Sequence, residues 1–117
     1  MKCSEYLWKY LDIHTHMGDI SDQEAQGQLN LAMKQNGDTK IVADDSGELM
    51  SEREAMSIYG RNSKRLQDAY KSGSKSLFEL VVLNQNMSDS EYQDEKKKAE
   101  KRAELEKADT GDEGGEA

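Results

Sequence analysis

Apolar residues recur along this chain at three- and four-residue spacings, interrupted by short polar and glycine-bearing stretches. Cys3, Leu7, Tyr10 and Leu11 form one such stripe, with Trp8 beside it, and predict a helix over 3–13. Ala25, Leu29, Ala32 and Met33 form a second, predicting a helix over 22–35. Gly27 sits inside it and costs up to about 1 kcal/mol relative to alanine, so this helix depends on packing. The pattern then changes. Lys40-Ile41-Val42-Ala43 is β-branched at its centre, Asp44-Asp45-Ser46-Gly47 is turn chemistry, and Glu48-Leu49-Met50 follows, which predicts a small β-hairpin near 40–50. Two short helices are expected over 52–59 and 63–72, separated at Gly60. Leu77-Phe78-Glu79-Leu80-Val81-Val82-Leu83 is the most apolar segment and is expected as a buried helix, despite the local strand preference of its valines and phenylalanine. A final helix over 89–107 is polar on every side, so it is expected to be solvent-exposed, frayed or completed by a partner.

Local signals agree with these boundaries. Ser-x-x-Glu, in which serine caps a backbone N–H and glutamate reaches back, occurs at Ser21/Glu24, Ser51/Glu54, Ser76/Glu79 and Ser88/Glu91. Ile20 and Met50 precede two of these serines and can staple onto Ala25 and Ala55. Gly37, Gly60 and Gly73 mark the expected helix ends. The fold class is therefore mostly α: a small bundle of short helices, a hairpin, a charged C-terminal helix and a disordered acidic tail over 108–117.

Charge sharpens the division of the chain. Residues 1–87 carry 10 basic and 13 acidic groups, whereas 88–117 carry 6 and 11. The latter stretch has six apolar residues in all and cannot offset its own chain entropy by burial. The core therefore belongs to a small helical domain over 1–87, which is thin enough to favour a partner. No apolar run is long enough to span a bilayer, so no membrane partner is expected. The opening Met1-Lys2-Cys3-Ser4-Glu5-Tyr6 lacks the apolar core of a secretion signal. A single cysteine permits no internal disulfide and fits a reducing compartment, so the expected location is cytoplasmic, or within a virion during assembly.

Three strings carry candidate chemistry. Asp12-Ile13-His14-Thr15-His16 resembles the Asp-x-His-x-His opening of amidohydrolase-type metal enzymes, in which two histidines on a strand clasp a divalent ion. That family needs a barrel of about 250 residues and further histidines. This chain has 117 residues and two histidines, and the string ends a helix. No metal ligand is assigned.

Ala55, Tyr59 and Gly60 resemble the Ala-x-x-x-Tyr-Gly that closes the first helix of a resolvase-type helix-turn-helix. Asn62 or Ser63 would cap the second helix and Leu66 would pack it. The resemblance implies that Arg61, Lys64, Arg65, Lys71 and Lys75 face nucleic acid, in a stretch of net charge +4. Arg61 departs from the pattern, because that turn position is usually apolar. The third string is the acidic tail, which would solubilise the protein or shield the basic stretch.

No phosphate-cradling glycine loop is present, and Cys3 lies on an apolar stripe where packing is its role. Neither catalytic residues nor a cofactor are expected. Tyr6, Trp8 and Tyr10 crowd five residues of one helix and cannot all face a core, so Trp8 at least stays near the surface. Tyr6, Trp8, Tyr10 and Phe78 are the candidate interface residues. The layout resembles tail-assembly chaperones and other small accessory proteins of bacteriophages. The expected function is non-enzymatic protein–protein interaction, with another protein or a second copy as partner. A helix-turn-helix nucleic-acid binder is the alternative, and an acidic inhibitor of a nucleic-acid-binding protein comes third.

Overall fold

In the computed structural model, which describes residues 1–105, seven elements follow in order: α1 (Cys3–Met17), α2 (Asp22–Gln35), β1 (Ile41–Val42), β2 (Leu49–Met50), α3 (Glu52–Ser72), α4 (Lys75–Leu83) and α5 (Asp89–Glu116). The protein is mostly helical with one small antiparallel hairpin, as its periodicities require. Residues Met1–Gln85 form one compact unit and Asn86–Ala117 a second. The expected acidic tail over 108–117 lies outside the described residues. Among the described residues no helix is long and apolar enough to cross a membrane.

α1 is the central element, packing on α2, α3, α4 and β1. It extends one turn beyond the expected 3–13. The apolar stripe ends at Ile13, but His14, Thr15 and His16 are polar rather than helix-breaking, and the helix runs on until Gly18. There φ is 72°, a conformation that favours glycine. At the other end the Ser4 N–H donates to Asp44 Oδ1 at 2.9 Å, and the Ser4 hydroxyl donates to Asp44 Oδ2. A carboxylate from the hairpin turn thus caps α1 across 40 residues of sequence.

α2 occupies its expected span. Ser21 Oγ accepts the Glu24 N–H at 3.1 Å, and the exit closes with Gly37 N–H to Lys34 O and Asp38 N–H to Met33 O. The hairpin also forms where its turn chemistry placed it, with Ile41 opposite Met50 and Val42 opposite Leu49.

The chain from 52 to 72 differs from expectation. Instead of two helices joined by a turn at Gly60, it is one helix kinked at Asn62, where φ is −122° and ψ is 22°. Gly60 keeps a negative φ and lies within the helix. Asn62 is buried, and its Nδ2–H donates to the Ile58 carbonyl at 3.2 Å, a back-bond of the kind that bends a helix without ending it. The left-handed Gly73, with φ of 77°, is the true stop. α4 then begins two residues earlier than its Ser-x-x-Glu string suggests, because Ser74 rather than Ser76 accepts the Leu77 N–H.

The core is built on these helices. α1 contributes Tyr6, Leu7 and Tyr10; α2 contributes Leu29 and Met33; α3 contributes Ile58 and Leu66; and α4 contributes Phe78 and Val81. Each aliphatic or aromatic side chain of this size contributes about 1.5–3 kcal/mol through burial. All are spaced at helical intervals on their own element.

Candidate functional site

The four aromatic candidates separate into two groups. Tyr6 and Tyr10 are one turn apart on α1 and both point into the core, at 0% and 1% exposure, while Phe78 is 1% exposed. Tyr6 and Tyr10 support the fold and present almost no surface to a partner, which corrects the expectation drawn from their crowding, while the buried Phe78 backs the Trp8 ring. Trp8 is half-buried. Two residues along a helix rotate a side chain by about 200°, so a helix that buries Tyr6 and Tyr10 turns Trp8 away from them. Its ring is met by Phe78 edge-on, with centroids 5.2 Å apart, and by Tyr70 at 4.8 Å. Lys75 Nζ stands 5.8 Å from the ring centroid, within cation–π range.

Trp8 forms part of the wall of an open cleft of about 440 Å³. α1 supplies Glu5, Trp8 and Lys9; α4 supplies Lys75, Phe78 and Glu79. Each set follows the i, i+3, i+4 spacing of one helical face, so the cleft is the seam between two helices. Its rim carries charges of both signs. Asp38, also at the rim, is engaged by the terminal ammonium of Met1 at 2.8 Å.

The basic candidates lie on α3 and at the start of α4. Arg61, Lys64, Lys71 and Lys75 are exposed and Arg65 is half-buried. Lys64 and Lys71 are two turns apart on one face of α3, and Arg61 Nε donates to the Ser57 carbonyl at 3.4 Å. The three-to-four-residue turn that sets a recognition helix across its partner is replaced by the kink at Asn62.

A polar cluster that no sequence motif announced joins α1 to α2. Tyr10 Oη donates to Asp22 Oδ1 at 2.7 Å. His14 Nε2 lies 3.0 Å from Tyr10 Oη and 3.3 Å from Asp22 Oδ1. With the Tyr10 proton committed to Asp22, the His14 Nε2–H is the donor to Tyr10. Burial, reinforced by the hydrogen bond to Asp22, raises the Tyr10 pKa above its ordinary value. His16 turns elsewhere, its Nδ1–H donating to the Asp12 carbonyl at 2.8 Å. Two residues apart on a helix, the histidines diverge. Among the described residues no three His, Cys, Asp or Glu side chains gather as a metal site would require. Cys3 is fully buried, and burial followed by the nearby Asp44 charge pushes its thiol up to about 12, far from a nucleophile's range.

The sequence held signals for Trp8 and for the basic residues, but none for Asp22, and it marked Asp44 only as a turn residue and Asn62 only as a candidate cap. Comparisons with known protein families, with curated proteins and with solved structures find no match.

Proposed function

We propose that this protein is a non-enzymatic binding protein that engages another protein through the Trp8 cleft. The observation that carries the reading is Trp8 itself, a large aromatic left only partly buried at the seam of α1 and α4 while its neighbours Tyr6 and Tyr10 are fully buried. Tryptophan is enriched among the anchor residues of protein interfaces. The occupant that fits is a peptide segment with one apolar side chain for the Trp8 wall, flanked by an acidic group for Lys9 or Lys75 and a basic group for Glu5 or Glu79. The buried, protonated thiol of Cys3 and the internally satisfied His14 support a role without catalysis.

Selection of a random peptide library on the full chain, followed by titration, tests this. Trp8 is the sole tryptophan, so its emission reports the cleft directly. Those selected peptides that shift Trp8 emission are expected to bind Trp8→Ala at least tenfold more weakly, with helicity unchanged. A selection that returns no peptide weakened by Trp8→Ala would overturn the reading.

A second reading, nucleic-acid binding, is favoured by the exposure of Arg61, Lys64, Lys71 and Lys75 along α3 and the start of α4. Fluorescence anisotropy with short duplex DNA at low and moderate salt decides it. Absence of binding at low ionic strength removes it.

A further inference from the structure

The two edges of the hairpin are not equivalent. In the antiparallel ladder the Ala43 N–H donates to the Glu48 carbonyl at 2.9 Å, which makes Ala43 and Glu48 a hydrogen-bonded pair. Pairs alternate, so Ile41 with Met50 is hydrogen-bonded and Val42 with Leu49 is not. Val42 therefore turns its backbone groups outward, and they are used. Its N–H donates to the Met1 carbonyl at 2.9 Å, and Lys2 pairs with it as a parallel bridge. Leu49 turns its N–H and C=O outward on the opposite edge. Among the described residues neither has a hydrogen-bond partner, and the residue is 66% exposed.

We propose that the free edge of β2 binds an extended, basic segment of a partner protein by strand addition. The backbone geometry specifies an extended peptide, because only a strand offers an N–H and a C=O at the spacing Leu49 presents. A hollow of about 280 Å³ beside the edge, lined by Met33, Ile41, Leu49 and Met50 and also by Lys40 and Glu52, would take an apolar side chain of that strand on its apolar part. Charge selects the rest. Residues 44–54 hold Asp44, Asp45, Glu48, Glu52 and Glu54 against Arg53 alone. Asp44 is committed to Ser4, which leaves the other carboxylates to attract lysine or arginine. A second copy of this chain would bring two such acidic segments together, so the occupant is a different protein. The proposal shares with the Trp8 reading the premise of protein binding, but uses a separate surface and can fail separately.

The test uses peptides selected on the full chain as above, sorted for binding that survives Trp8→Ala. Their sequences are expected to alternate apolar residues with Lys or Arg. Binding is expected to slow hydrogen exchange of the Leu49 amide at least tenfold and to weaken with added salt. Leu49→Pro removes the outward N–H without touching the ladder and is expected to weaken binding at least tenfold. Methylation of alternate backbone nitrogens in the peptide asks the same question with the protein unaltered, and is expected to abolish binding in one register only. Glu48→Lys should weaken it several-fold. Peptides that leave Leu49 exchange unchanged, tolerate methylation in both registers, or bind only through Trp8 would overturn the proposal, as would a failure to select any basic alternating sequence.

Discussion

The two ends of α1 are held in opposite ways. At its start, Cys3, Ser4, Tyr6 and Leu7 are all buried, and the Asp44 carboxylate closes the first turn. At its end, His14 is half-buried, Met17 is 51% exposed, and the helix is tied to α2 through Tyr10, His14 and Asp22. The contrast is sharpest between Tyr6 and Tyr10, which are equally buried and one turn apart. Tyr10 has its hydroxyl satisfied twice, whereas the Tyr6 hydroxyl has no hydrogen-bond partner among the described residues. Burial alone therefore says little about what a tyrosine contributes; the partner of its oxygen decides.

The largest expected effect concerns the closed end. At pH 8 iodoacetamide should alkylate Cys3 at least about a hundredfold more slowly in the folded protein than in urea, because the folded thiol is almost wholly protonated. Cys3 and Tyr6 rise from ordinary values of 9.0 and 10.0 to about 12, both chiefly through burial. The folded state thus holds protons that the unfolded chain releases, so stability is complete below about pH 9 and falls as pH rises toward 12. Urea midpoints measured across that range should decline, and a flat profile would contradict the closed end.

Next in size is Asp44→Ala. It removes a charged cap and leaves the buried Ser4 hydroxyl unpaired, with an expected loss of about 2–3 kcal/mol in urea unfolding. Tyr10→Phe comes below it, at about 1 kcal/mol, since it breaks the bond to Asp22 and takes the acceptor from His14. Tyr6→Phe is expected to be the smallest change, neutral or slightly stabilising, because it deletes a hydroxyl with no hydrogen-bond partner among the described residues. A Tyr6→Phe loss equal to that of Tyr10→Phe would erase the distinction between the two ends.

Much of this fold was legible from the chain because its signals are local. Ser21, Ser51 and Ser88 cap the helices they were read to cap, and the Asp44–Gly47 turn sits in the expected hairpin. Gly60 misled because a helix tolerates glycine wherever packing holds both sides, and buried Ala55, Ile58, Leu66 and Ala69 form one stripe that spans it. The candidate site was legible in one residue. Trp8 was assigned to the surface by helical rotation alone. Phe78 was offered as a surface residue too, but no periodicity could show that it would lie against the Trp8 ring.

The sequence by itself determined the helices, their caps, the hairpin and the faces that seek burial, because each depends on residues within a few turns of one another. Only the tertiary structure decided that Phe78 lies against the Trp8 ring, that Asp44 caps a helix 40 residues away, and that Leu49 has no backbone partner on its outer edge among the described residues. Those outcomes depend on how one element's side chains and backbone groups meet another's. Contacts between distant segments follow from packing in three dimensions, and leave no period or spacing along the chain.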